Sequence, residues 1–207
     1  MSTVKFYFDF GSPNAYLSHK VIPEIERRTG VVFEYVPILL GGIFKMTGNQ
    51  SPMTAFAGIK NKPAYDELEI RRFIQRHGLH SFQFNPNFPI NTLNLMRGAV
   101  AAQRLSVSEL YVNHIYADMW ERGRKMDDPE VFQASLFEAG LPVEQLLGLS
   151  QEADVKSELI ANTESAVAVG AFGSPTFLVG TELFFGKDRL REVEEEILHQ
   201  AARANAS

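Results

Sequence analysis

Val4–Phe10 is a short apolar run, interrupted only by Lys5 and Asp9, of a length suited to a buried strand. It ends in Gly11-Ser12-Pro13, with Ser12 where an N-cap belongs and Pro13 at the first helical position. The period then turns helical. Leu17, Val21 and Ile25 share one face, so a helix is predicted over Pro13–Arg28, stopped by Gly30 and bent by Pro23. Val31–Ile38 reads as a second strand, parallel to the first through a right-handed crossover. A loop over Gly41–Pro63 precedes a helix near Ala64–His77, and a second loop, Phe82–Asn91, alternates proline with Asn and Phe. Helices follow near Thr92–Gln103 and Ser108–Arg122, then one opened by Asp128-Pro129 and closed by Gly140, then Glu152–Val169. Thr176–Val179 and Glu182–Phe185 flank Gly180-Thr181 as a hairpin. Asp188 is placed to cap a last helix with Leu190, Val193 and Ile197 inward, and Ala202–Ser207 is expected to fray.

The order is therefore β-α-β, a long run of helices, then β-β-α. That is the order of an α/β, thioredoxin-like sheet carrying a large all-helical insertion. Residues 1–38 and 171–207 would form one discontinuous domain, and 39–170 a helical domain capping the sheet.

Composition narrows the function. The chain has 207 residues, 45% of them hydrophobic, with 16 Phe against one Trp, which is enough to bury a sizeable core. A formal charge of −5 leaves no basic stripe, which argues against nucleic acid and anionic membrane as partners. With no cysteine, structural disulfides, zinc ribbons and protein-borne dithiol chemistry are excluded. The five histidines lack metal-ligand spacing, so no metal site is expected. Residues 1–17 have no basic n-region and no stretch is long and apolar enough to span a bilayer, so a cytoplasmic location is expected.

Candidate chemistry gathers at two turns. Ser12, at a strand-to-helix corner, aims a hydroxyl and the positive end of a helix dipole at whatever lies above the strand. Such a corner suits a polarised anion, a thiolate among them, and here any thiol must come from a ligand. A plain N-cap is the competing reading. Phe-Gly-Ser-Pro occurs at Phe10–Pro13 and again at Phe172–Pro175, which two tight turns suffice to explain. Pro175 opens a strand, either as an ordinary trans proline or as a cis proline that leaves Ser174 free to pair with a peptide-like ligand. Asp188 is a helix cap or a receptor for a ligand amine. Asn49 and Lys62 lie in or beside a polar loop, where solvation is the default.

Four segments resemble the 2-hydroxychromene-2-carboxylate isomerase family, grouped with the DsbA-like proteins and the kappa-class glutathione transferases. They are Phe6–Pro13, Asn87–Thr92, Gly170–Phe177 and Phe185–Arg189, and the likeness runs from Val4 to about Glu196. It implies a thioredoxin fold with an all-helical insertion, glutathione as cofactor and a homodimer. By the same resemblance, Ser12 stands in place of the DsbA-type nucleophilic cysteine and donates its hydroxyl to the glutathione sulfur. Ser174, before a cis Pro175, pairs with the cysteinyl backbone; Asp188 and Arg189 stand near the γ-glutamyl end. Asn49 matches a position that helps hold the tripeptide, and Lys62 aligns with a lysine that neutralises a ligand carboxylate. Phe44 and Phe88 fall where rings could wall a small aromatic electrophilic substrate, with core packing the competing role. The implied reaction is reversible thiol addition to an aromatic α,β-unsaturated keto acid, in aromatic compound catabolism. A kappa-like transferase conjugating a hydrophobic electrophile is the alternative, and a non-catalytic thiol-peptide binding module a third.

Overall fold

In the computed structural model, which describes residues 3–205, β1 (Val4–Phe8), α1 (Pro13–Thr29) and β2 (Phe33–Pro37) open the chain. β1 and β2 are parallel, with Val4 opposite Phe33 and Phe8 opposite Pro37. After the helical stretch, β3 (Thr176–Val179) and β4 (Glu182–Phe185) form the expected hairpin. β3 runs antiparallel to β1, which gives the four-stranded order β2-β1-β3-β4. β1 is thus central. Val4, Phe6 and Phe8 join one large core, while Tyr7 joins a smaller cluster with Val36, Ile38 and Ile43. Burial on both sides is why β1 reads as a nearly continuous apolar run. Phe6, Phe8, Phe10 and Phe177 are fully buried, and each such ring contributes about 2–3 kcal/mol.

Between the sheet segments lie α2 (Leu40–Thr47), α3 (Pro52–Ala55), α4 (Lys62–His77), α5 (Leu93–Arg104) and α6 (Ser108–Trp120). α7 (Pro129–Glu138), α8 (Val143–Ser150) and α9 (Ala153–Ala168) complete the stretch, and α10 (Leu190–Asn205) ends the described chain. Buried residues of β1, α1, α5, α6 and α9 share one continuous core. No helix of the described residues is long and apolar enough to cross a membrane.

The loop expected over Gly41–Pro63 is largely helical instead. Gly41-Gly42 reads as flexible in isolation, but Gly42 opens the space in which α2 meets α9: a Cβ there would lie 3.2 Å from Thr163 Cγ2. The same threonine accepts the Leu39 N–H at 3.0 Å through Oγ1. α8 was not anticipated either. Its eight residues include Gly148, and packing against α5 and α9 supplies what local propensity lacks. Asp188 is not the cap of the last helix: Lys187–Arg189 form a 3-10 turn behind Gly186, and α10 starts at Leu190. α10 continues through Ala202 to Asn205, so that part of the expected frayed tail is helical, and residues 206–207 lie outside the described range.

Candidate active site

Two turns meet at the end of the sheet. The Ser12 side chain caps α1 by accepting the Ala15 N–H at 3.1 Å, as its position in the sequence predicts. Its own proton goes across the sheet: Ser12 Oγ donates to the Ser174 carbonyl at 2.9 Å. Ser12 is 5% exposed. The Ser174–Pro175 peptide is cis, as is Phe88–Pro89. The Ser174 hydroxyl accepts the Asp9 N–H at 3.3 Å and donates to the Tyr7 carbonyl at 3.4 Å, which closes the second turn onto the first.

Asp9 braces this corner from below. Its Oδ1 accepts the Gly11 N–H at 2.8 Å and its Oδ2 the Leu40 N–H at 2.8 Å, so one carboxylate ties the Ser12 turn to the start of α2. Burial pushes the Asp9 carboxyl up, and its bonds from Leu40, Gly11 and Thr92 oppose that. From α5, Met96 Sδ accepts the Phe10 N–H at 3.4 Å, and from α6 the Trp120 indole donates to the Phe10 carbonyl at 2.8 Å. The corner is therefore held by groups from both the sheet and the helical stretch. The side of α1 facing the core carries His19, whose ring nitrogens meet the Tyr35 hydroxyl at 2.8 Å and Asn113 Oδ1 at 2.9 Å. Burial pushes the His19 imidazole down to about 4, so it is neutral at pH 7.

A matching model of a DSBA-like thioredoxin domain covers residues 3–198. The chain belongs to the DSBA-like thioredoxin family. It is 29% identical over 196 residues to a 2-hydroxychromene-2-carboxylate isomerase of Sphingobium xenophagum, covering 95% of this chain and 98% of that one. It is 26% identical to glutathione S-transferase kappa 1 of Homo sapiens, covering 91% and 87% of the two chains. A solved 2-hydroxychromene-2-carboxylate isomerase superposes with a TM-score of 0.82 at 25% identity, over 99% of this chain and 98% of that one. A probable DsbA oxidoreductase from Streptomyces coelicolor, 17% identical over 96% and 91% of the two chains with a TM-score of 0.65, shares the fold. The curated relatives of this DSBA-like chain thus include isomerases and kappa-class transferases.

Within the DSBA-like frame, most of the residues singled out in the sequence converge. Asn49 Nδ2 donates to the Phe172 carbonyl at 2.7 Å, two residues before Ser174. The Gly186 N–H donates to the Pro175 carbonyl at 3.0 Å, bringing the turn of Asp188 and Arg189 alongside. Arg189 Nη1 is engaged by Glu192 at 2.7 Å. Phe44 is half-buried on α2. The Lys62 ammonium pairs with Asp66 and lies 4.9 Å from the Phe56 ring centroid. Phe88 packs on Phe84 and Trp120, with ring centroids at 5.2 and 6.0 Å, so part of its apolar surface serves the loop itself. No group of three His, Cys, Asp or Glu side chains suited to a metal occurs among the described residues.

Three residues carry more than their sequence showed. Asp9 looked like an interruption in a strand, yet it organises the corner. Asn14, the second residue of α1, has a buried Oδ1 with no hydrogen-bond partner among the described residues. Lys187, in a run that reads as surface, is buried with its ammonium on Asp188 at 2.6 Å. Only the Asp-x-Gly spacing at Asp9, an Asx-turn signature, was available to find any of these locally.

Proposed function

We propose that this chain is a glutathione-dependent isomerase of the 2-hydroxychromene-2-carboxylate type, acting on an aromatic α,β-unsaturated keto acid. The observation that carries the reading is the Ser12–Ser174 pair: a buried hydroxyl at a helix N-terminus, 2.9 Å from the carbonyl that precedes Pro175, in a chain with no cysteine. The residues suit a cysteinyl peptide. Pro13 has no N–H, Asn14 is the second residue of α1, where a helix start leaves its N–H without an intrahelical acceptor, and Asn14 Oδ1 is a buried acceptor with no hydrogen-bond partner among the described residues. These are the donors and acceptors that a thiolate and its amide would satisfy.

Bound there, glutathione would supply a thiolate that adds reversibly to a carbon–carbon double bond and leaves again, with no net consumption of thiol. A free thiol has a pKa of about 8.5, so the protein's task is to favour the ionised form near neutrality. Ser12 does this by turning its one proton from the Ser174 carbonyl toward the sulfur, while Oγ keeps accepting the Ala15 N–H. The Ser174 carbonyl, released by Ser12, takes an N–H of the ligand in exchange. The α1 dipole adds a further stabilisation of about 0.3–1 kcal/mol. Asp9 keeps the turn aimed by fixing Gly11 and Leu40 together. Phe44, half-buried on α2, and Phe88 are the rings that would meet an aromatic substrate.

Calorimetric titration tests this. Glutathione is expected to bind at least about tenfold more tightly than S-methylglutathione, because only the free thiol can ionise against Ser12. Equal affinities, or no binding of glutathione at millimolar concentration, would overturn the reading. A glutathione adduct that stays attached to product would favour the kappa-like transferase instead.

A further inference from the structure

α2 cannot hold itself in place. It is eight residues long, begins Leu40-Gly41-Gly42, and has Ile43 as its one fully buried residue. Its N-cap, Leu39, has no side chain that can accept a hydrogen bond. The acceptors come from elsewhere in the chain. The Leu40 N–H goes to Asp9 Oδ2 at 2.8 Å, and the Leu39 N–H to Thr163 Oγ1 on α9 at 3.0 Å. Beyond the far end of α2, Asn49 Nδ2 reaches the Phe172 carbonyl at 2.7 Å. Asp9 Oδ1 meanwhile takes the Gly11 N–H beside Ser12, and Ser12 Oγ donates to the Ser174 carbonyl. These contacts close a ring through both turns, with α2 as one side of it. The helix is tied by its start to the Ser12 corner and by its end to the Ser174 corner.

We propose that Asp9 is a positioning residue for the electrophile: by capping α2 from the Ser12 corner, it holds the Phe44 ring in register with the bound thiol. The inference rests on the glutathione reading above. Each carboxylate oxygen of Asp9 serves a different side of the site. An amide of the same shape offers one oxygen and one N–H donor, so it can keep the Gly11 N–H or the Leu40 N–H but not both. The Asx turn to Gly11 spans only two residues, and asparagine forms it as aspartate does. The Leu40 N–H would then face a second donor and lose its acceptor. α2 would spend part of its time out of register. An electrophile that binds only the docked helix would lose affinity in proportion to the docked fraction. Once it is bound the docked geometry is restored, so the chemical step is little altered.

The test compares the wild-type chain with D9N and with T163V, in which valine removes the Leu39 acceptor without touching Asp9 or Ser12. Calorimetry gives the glutathione affinity, and turnover of 2-hydroxybenzylidenepyruvate at saturating glutathione gives KM and kcat. KM is expected to rise at least about tenfold in D9N and about threefold in T163V. In both, kcat should stay within about threefold of the wild type, and glutathione affinity should fall by less than about threefold. Amide hydrogen exchange should quicken over residues 40–48 and stay unchanged over α1. A loss of glutathione affinity that matches the rise in KM overturns the proposal, since Asp9 would then serve the thiol corner alone. An unchanged KM in either variant also overturns it, and T163V decides alone if D9N does not fold. If the wild type binds no glutathione, or does not turn over the keto acid, the reading above fails first and the role of Asp9 falls with it.

Discussion

The tetrapeptide Phe-Gly-Ser-Pro is used twice, to opposite ends. In Phe10–Pro13 the phenylalanine is fully buried, the serine caps a helix and the proline takes its first position. In Phe172–Pro175 the phenylalanine is 42% exposed and leans on Phe185 at 4.4 Å, while the proline follows a cis peptide into a strand. Their glycines are hemmed in differently as well. A Cβ on Gly11 would lie 3.2 Å from the buried Thr92, whereas one on Gly173 would lie 2.7 Å from the ring of half-exposed Phe185. Identical residues thus make one rigid corner and one open one. What separates them is the surroundings: the first is gripped by Asp9, Met96 and Trp120, the second by Ser12 and Asn49.

Ser12→Ala breaks the link between the two corners and has the largest expected effect. Turnover should fall on the order of 10²-fold or more, as when a single preorganised donor is removed. Glutathione affinity should change far less, and loss of the cap should cost about 1 kcal/mol in urea unfolding. An unchanged kcat would leave the corner as a binding site only. Acid should loosen the first corner selectively, through His19 on its helix. With its folded pKa near 4 against an ordinary 6.5, His19 contributes stability above pH 6.5. That contribution falls away between pH 6.5 and 4 as the unfolded chain takes up the proton first, by about 3 kcal/mol in all. Urea unfolding at pH 7 and 4.5 measures it, and His19→Gln should flatten the difference.

The glycines sharpen the contrast further. Gly11→Ala should cost about 1–3 kcal/mol of stability, because Thr92 is buried and cannot yield cheaply. Gly173→Ala, despite the shorter contact, should cost under about 1 kcal/mol, since an exposed ring can turn away. Equal losses in thermal unfolding would erase the distinction. Smallest of all is Lys62→Met. With its ammonium already paired with Asp66, removing it should raise KM for an anionic substrate less than about fivefold. A larger rise would bring Lys62 into the site after all.

What was legible from sequence is what is decided locally. The Ser12 cap, the Gly30 stop, the Asp128-Pro129 start and the Thr176–Phe185 hairpin each depend on residues within a few positions, and each appears as predicted. α2 is hidden in the sequence because Gly41-Gly42 favours a loop in isolation, while Gly42 serves close packing against Thr163, more than 100 residues away. Asp188 was misassigned as a cap because its partner, Lys187, is buried only once Phe73 arrives from α4. At the site, the family resemblance supplied the residues, but not the hydrogen bond by which Ser12 already engages Ser174.

The single tryptophan turns the first corner into its own reporter. Trp120 is fully buried, hydrogen-bonded to Phe10 and surrounded by Phe82, Phe84 and Phe88. All intrinsic indole fluorescence from this chain therefore originates in a ring bonded to Phe10, two residues before Ser12, in a dry aromatic setting that favours blue-shifted emission. Occupation of the corner, or displacement of the 82–91 loop, should be visible as a change in that one signal, with no label introduced.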